Sequence, residues 1–92
     1  MMNEIRQYIR KNHRRVGVMV AIKDENGVHV GWSKCHINKD RFSRERGIMI
    51  ARTRAVDGSR KDVPSMIQND IQQFIFRASR YFKSDEVKLQ GK

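Results

Sequence analysis

The sequence predicts an α+β fold in which a two-stranded antiparallel hairpin is packed by an N-terminal helix, a middle helix and a long C-terminal helix. Two runs of alternating apolar residues flank Asn26-Gly27, which is a strong hairpin signal. Apolar residues recur at helical spacing over residues 63–82 and, more briefly, over residues 5–9. At this length we expect one domain over residues 1–83, followed by a flexible C-terminal tail at 84–92.

The first predicted element is a short amphipathic helix over residues 2–11. Ile5, Tyr8 and Ile9 fall at positions i, i+3 and i+4, which places them on one face of a helix. A basic connection over residues 11–15 then leads into the hairpin.

The predicted hairpin joins a strand over residues 16–22 to a strand over residues 28–37. The loop has two residues, Asn26-Gly27, or four, 24–27, and both lengths give the same division of faces because side chains alternate with a period of two. On the first face, the small side chains of Gly31 and Ser33 leave room for a helix, so we expect this face to be the core side. That face carries Val16, Val18, Val20, Ile22, Gly31, Ser33, Cys35 and Ile37.

A middle helix is predicted from a cap at Asp40 or Ser43 to about Val56, with Gly58 just beyond its end. Residues 46–55 also alternate in a way that fits a third strand. The alternative fold is therefore α-β-β-β-α with a third strand at 46–55, which is the element order of a double-stranded RNA-binding domain.

The long C-terminal helix is predicted to begin at Asp62 or Val63, with Pro64 in its first turn, and to extend to about Lys83. Its apolar stripe consists of Val63, Ile67, Ile71, Phe74, Ile75, Ala78 and Phe82. Three further apolar side chains lie off the stripe, where they either fill the core or contact a protein partner, such as a second copy in a homodimer through this helix. These are Met66, Phe76 and Tyr81.

The charge balance predicts a polyanionic partner. Twenty Lys and Arg against ten Asp and Glu leave a net charge of +10, and a hydrophobic content of 38% is typical of a folded chain. Cys35 is the single cysteine, which excludes an intrachain disulfide and favours a reducing cytoplasm. No apolar run reaches the length of a transmembrane helix, so we expect no membrane partner.

Arginine outnumbers lysine, and its planar guanidinium can bind phosphate oxygens in pairs and stack on bases. The cations are concentrated in two segments, one beginning at Arg6 and one at Lys39. Trp32 is either a stacking platform for unpaired bases or a core residue. The predicted nucleic-acid-binding residues are Arg10, Lys11, Arg14, Arg15, Trp32, Lys34, Arg41, Arg44, Arg46, Arg52 and Arg54.

No pattern of an enzyme or of a metal site is present in the sequence. Cys35 and His36 are adjacent in a predicted strand and so point to opposite faces. Asp40 and Glu45 are five residues apart, which does not bring two carboxylates together on one face of a helix. We therefore expect no catalytic residues, metal or cofactor, and we interpret Cys35 as a small buried hydrophobic residue.

Several segments resemble small uncharacterised proteins of tailed bacteriophages. These segments are Gly31-Trp-Ser-Lys-Cys35, Lys39-Asp-Arg-Phe-Ser43, Arg46-Gly-Ile-Met-Ile-Ala51 with Arg54-Ala55, and the later Val63-Pro64 and Arg80-Tyr-Phe-Lys83. In such proteins an Asp-x-Phe turn is followed by a helix with the pattern Gly-x-x-Ile-Ala-x-x-Arg-Ala. The resemblance implies expression in the cytoplasm of an infected bacterium and supports the middle helix, and it implies no active site.

The sequence thus predicts a small, non-enzymatic, phage-type accessory protein that binds DNA or RNA mainly through contacts of Arg and Lys with phosphates. The alternative is a protein-binding modulator or inhibitor of a host enzyme or defence component.

Overall fold

The computed structural model describes residues 3–25, 27–34, 44–57, 63–84 and 86–89. These residues form a sheet with a helix packed on each face, and a short 3-10 turn, Ser65–Ile67, precedes the second helix. The elements are β1 (Asn3–Lys11), β2 (Arg14–Asp24), β3 (Gly27–Lys34), α1 (Arg44–Asp57), α2 (Gln68–Phe82) and β4 (Val87–Leu89).

The sheet has four strands in the order β1-β2-β3-β4. The first three strands form an antiparallel meander, and β4 pairs parallel to β3. The predicted fold class, a two-stranded hairpin with three helices, is therefore wrong. Over the described residues the protein has two helices, and they lie on opposite faces of a mixed sheet.

Where the N-terminal helix was predicted, the chain forms β1. Ile5 and Ile9 are both buried on the α2 side of the sheet, because residues four apart in a strand share a face. Tyr8 lies on the other side, against the cluster that α1 covers. Asn12 and His13 both have positive φ, at 52° and 66°, and they form the tight turn into β2.

The predicted hairpin is confirmed as β2 and β3. Asp24 pairs with Gly27, so two residues, 25 and 26, join the strands and neither predicted loop is correct. The register, with Lys23 opposite Val28, is the one that the loop 24–27 predicts. Val20 pairs with Gly31, so these two residues share a face as predicted. The predicted strand residues beyond Lys34 lie outside the described part of the chain.

Residues 44–57 form a helix, so the alternative third strand at 46–55 is wrong as well. α1 lies very close to Gly31, where an added Cβ would overlap the carbonyl oxygen of Ala51 and sit 2.5 Å from the backbone nitrogen of Ala55. The Ser33 hydroxyl donates a hydrogen bond of 2.9 Å to the carbonyl oxygen of Gly47. The expectation that small residues on β3 admit a helix is confirmed. The predicted capping residues Asp40, Ser43 and Gly58 lie outside the described residues.

α2 covers the opposite face of the sheet. Every residue of its predicted apolar stripe contributes to the core cluster there, with Phe74 at its centre. The helix is shorter than predicted, because the turn before Gln68 is 3-10 and Lys83 takes a left-handed conformation at the C-terminal end. Trp32, Met19, Val30 and Val16 pack into the same cluster, so the sheet is buried on both faces. The expectation of a single core side, with Val16 on it, is therefore wrong.

β4 lies within the segment that was predicted to be a flexible tail. Val87 pairs with Val28 and Leu89 with Val30, and both apolar side chains pack against the α2-side core. For residues 87–89 the predicted tail is therefore wrong.

Candidate nucleic-acid interface

An open groove of about 680 Å³ lies between β1 and α1. α1 packs mainly on β3 and β2, which leaves the α1-side surface of β1 accessible. The residues that line the groove are Arg6, Arg44, Glu45, Ile48 and Arg52. Three of these five side chains are guanidinium groups, and the groove is therefore a basic surface.

Glu4 is the carboxylate that joins the two walls of the groove. Arg52 donates to it twice, from Nε to Oε1 at 2.6 Å and from Nη2 to Oε2 at 2.9 Å, and Arg6 donates from Nε to Oε2 at 2.7 Å. The Glu4 side chain is only 5% exposed. The hydrogen bond from Arg52 is the largest cause that holds the pKa of Glu4 below its ordinary value, and the same bond raises the pKa of Arg52. Arg52 is thus a structural residue of the groove.

A second pair of cations extends this surface at the turn between β1 and β2. The guanidinium carbon of Arg15 lies 4.6 Å from the centre of the Tyr8 ring, within the range of a cation–π contact. Arg10 pairs directly with Arg15 in the sheet and is exposed. Because directly paired residues share a face, Arg10 and Arg15 lie on the α1 side with Tyr8. We use the name arginine groove for Arg6, Tyr8, Arg10, Arg15, Arg44, Glu45, Ile48 and Arg52.

The structure thus places four of the predicted binding residues on the α1 side of the sheet, which are Arg10, Arg15, Arg44 and Arg52. Two others from the same sequence segments lie elsewhere. Lys11 reaches to the α2 side, where its Nζ lies 2.9 Å from Oδ2 of Asp70. Arg14 pairs with Lys11 in the sheet and so faces the same way.

The residues predicted around β3 are not part of the groove. Trp32 is 3% exposed and packs into the α2-side core, so the stacking interpretation is wrong for this residue and the core interpretation holds. Arg54 covers the Trp32 ring with its guanidinium carbon 4.7 Å from the ring centre, and it donates a 3.0 Å hydrogen bond to the Trp32 carbonyl oxygen. Burial lowers the pKa of Arg54. Lys34 is half-buried at the end of β3.

Two predicted binding residues remain, Arg46 and Arg41. Arg46 is exposed in the first turn of α1, and Arg41 lies outside the described residues. Sequence reasoning missed the partnership of Glu4 with Arg6 and the contribution of Tyr8. The alternation of Glu4, Arg6, Tyr8 and Arg10 along one side of a strand was the available signal, and the helical interpretation of residues 2–11 concealed it.

Within the described residues, no three His, Cys, Asp or Glu side chains are grouped closely enough to bind a metal ion. None of the described helices is both long enough and apolar enough to cross a bilayer. Comparisons of this chain with protein-family models, with curated proteins and with solved structures find no match.

Proposed function

We propose that this protein binds DNA or RNA through the arginine groove, mainly by contacts with phosphates. The observation that carries the proposal is that Arg10, Arg15 and Arg44 all lie on the α1 side of the sheet, on a chain whose net charge is +10. Guanidinium groups bind phosphate oxygens in pairs, and a cluster of them supplies the salt-dependent affinity of nucleic-acid-binding proteins.

Some of these cations already have partners within the protein, and we exclude them from the proposed contacts with phosphate. Glu4 binds both Arg52 and Arg6, Trp32 binds Arg54, and Asp70 binds Lys11, so these four cations stabilise the fold. Arg15 rests on an aromatic ring, which fixes its guanidinium plane while its N–H donors stay available for phosphate. The proposed contacts are therefore Arg10, Arg15 and Arg44, in a non-enzymatic accessory protein that acts in the cytoplasm of an infected bacterium.

The salt dependence of binding tests this proposal. Affinities for a fluorescent DNA duplex, a DNA single strand and an RNA strand would be measured by anisotropy over a salt series. Combining Arg10→Gln, Arg15→Gln and Arg44→Gln should lower the slope of log affinity against log salt on duplex DNA by about 0.9 for each lost contact, or roughly 2.7 in all.

The matched control combines Arg80→Gln, Lys83→Gln and Lys88→Gln, which removes the same charge from α2 and the chain that follows it. This control should retain nearly all of the slope. Equal losses in the two triple variants, or no binding to any of the three probes at low salt, would refute the proposed groove.

A second candidate function is docking to a host protein through α2, as a modulator or inhibitor of an enzyme or defence component. Phe76 is 68% exposed and Tyr81 and Met66 are also exposed, so none of these three side chains fills the core. Exposed aromatic side chains are enriched at protein interfaces. Capture of a protein by the wild-type chain and not by a Phe76→Ser, Tyr81→Ser variant, with nuclease present, would favour this candidate.

A further inference from the structure

β1 is an edge strand with nine residues, and no described strand lies on its outer side. The register between β1 and β2 shifts at Ile9/Arg10, where Ile9 pairs with Gly17 and Arg10 with Arg15. The extra residue, Val16, is therefore in β2, and β1 itself runs without a bulge. A regular edge strand of this length presents a row of backbone donors and acceptors to another strand.

The opposite edge of the sheet offers few backbone groups to another strand. β4 has three residues and covers only Val28 to Val30 of β3. Beyond it, Arg54 occupies the Trp32 carbonyl oxygen with a hydrogen bond from its side chain. β1 is consequently the edge that is suited to strand addition.

We propose that a second copy of this chain pairs with β1 to form an antiparallel β1–β1 dimer with its two-fold axis at Gln7. Gln7 is the midpoint of the nine residues, so this register uses the whole strand. It matches the strands as Asn3 with Lys11, Glu4 with Arg10, Ile5 with Ile9, Arg6 with Tyr8, and Gln7 with Gln7.

Charge selects this register over its neighbours. An axis at Arg6 would place two Arg6 side chains directly opposite each other, and an axis at Tyr8 would place Arg6 opposite Arg10. Like charges directly opposite in a sheet are destabilising, whereas opposite charges stabilise it. With the axis at Gln7, Glu4 faces Arg10 at two places in the dimer, and no like charges are matched.

The dimer would extend the arginine groove. Arg6, Tyr8 and Arg10 lie on the α1 side of β1, so the pairing would place Arg6 of one copy opposite Tyr8 of the other and join two grooves across the axis. This consequence rests on the proposed function, whereas the pairing itself does not.

The first test is the mass of the full chain in solution, measured by light scattering over a range of concentrations after nuclease treatment and at high salt. Salt screens the repulsion between two chains of net charge +10 and weakens phosphate contacts, so a dimer that persists there is not bridged by nucleic acid. At lower salt, again after nuclease treatment, Arg10→Glu should raise the dimer dissociation constant about tenfold or more, because it matches Glu4 with a second carboxylate at both places. Arg80→Glu, the same change on the exposed side of α2, should leave it unaltered, as should Arg10→Lys.

The second test is cross-linking in a Cys35→Ser background. Gln7→Cys places two sulfurs at the axis, where paired Cα atoms are about 4.5–5.5 Å apart and can form a disulfide. Arg6→Cys is the control on the same strand, because its two Cα atoms would be about 7–8 Å apart. A wild-type monomer at every concentration, a dimer unaffected by Arg10→Glu, or equal cross-linking at the two positions would overturn the pairing. A monomer that binds nucleic acid refutes the dimer alone, and a dimer that binds none refutes the groove alone.

Discussion

Glu4 on β1 and Arg52 on α1 form a two-point ion pair, with Nε to Oε1 at 2.6 Å and Nη2 to Oε2 at 2.9 Å. This pair fixes the width of the groove, because it ties the edge strand of the sheet to the helix on its face. A carboxylate with two parallel N–H donors has a defined geometry that a single contact lacks. The two walls of the groove are thus tied together by a side-chain ion pair.

Glu4→Gln is expected to lower the free energy of unfolding at neutral pH by about 1–3 kcal/mol, because Arg52 loses its charged acceptor. The folded-state pKa of Glu4 lies below its ordinary value of 4.5, so its contribution is present above that pH and is lost as the pH falls through the folded-state pKa. Urea unfolding over an acidic pH series would show a shallower pH dependence for Glu4→Gln than for wild type. Identical pH profiles would contradict the assignment.

Arg44 and Arg52 line the same groove and are expected to respond differently to loss of charge. Arg44→Gln should reduce the salt slope of binding to duplex DNA by about 0.9 and leave the thermal midpoint unchanged. Arg52→Gln should lower the thermal midpoint, because Glu4 would lose both of its donors from α1. Thermal unfolding and anisotropy on the same two samples would check both outcomes, and a reversal of the two effects would contradict the assigned roles.

Arg54→Ala is expected to expose the Trp32 ring. Arg54 covers that ring and binds the adjacent carbonyl oxygen, and Trp32 is the single tryptophan, so tryptophan emission reports the surroundings of this ring alone. We expect a shift of emission to longer wavelength and easier quenching by acrylamide, with a loss of stability of about 0.5–2 kcal/mol. Wild-type emission should stay unchanged when oligonucleotide is added, and strong quenching by bound bases would contradict burial of the ring.

Phe74 and Phe76 form a matched pair on α2. Phe74 is fully buried and Phe76 is 68% exposed. Phe74→Ala should cost about 3–5 kcal/mol through lost burial and the cavity that it leaves, whereas Phe76→Ala should change stability by less than about 0.5 kcal/mol. Denaturant unfolding of the two variants would measure the difference. Similar losses of stability would contradict the burial of Phe74 and the exposure of Phe76.

Gly31→Ala is expected to destabilise the protein by about 1–3 kcal/mol or more, because the new methyl group would collide with the backbone of α1 at Ala51 and Ala55. The backbone of a helix cannot rotate away as a flexible side chain can. Thr53→Ala, on the exposed side of the same helix, is the control and should be nearly neutral. A Gly31→Ala variant as stable as Thr53→Ala would contradict the close approach.

The sequence was sufficient to predict the features that depend on a single periodicity. Alternation predicts the shared face of Val18, Val20 and Gly31, and the small side chain of Gly31 correctly indicates where a helix approaches. Val16 is the exception: it packs on the α2 side, because the register shifts at Ile9/Arg10. β1 was mistaken for a helix because Ile5 and Ile9, four residues apart, share a face in both structures. The turn at Asn12 and His13 needs two left-handed residues, and the sequence of this segment suggested only a basic connection.

The site was predictable only in part. Net charge and arginine content identify a basic protein, but they do not say which arginines are available to a ligand. Arg52 and Arg54 lie on the same helix as Arg44 and carry the same side chain, yet each has an internal partner that comes from a distant strand. Such pairings depend on tertiary structure, since Glu4 and Arg52 meet only when β1 and α1 are in place.

The parallel pairing of β4 with β3 has a consequence for the order in which the chain folds. The meander of β1, β2 and β3 joins segments that are neighbours in the sequence. The pairing of Val28 with Val87, in contrast, joins segments that are separated by both helices. Closing so large a loop costs conformational entropy, and this cost is offset only when the helices pack on the sheet. We therefore expect β4 to pair with β3 late in folding. By the same reasoning, β4 is the first strand to detach from the sheet in partial unfolding. If α2 failed to pack on the sheet, β4 would not pair with β3.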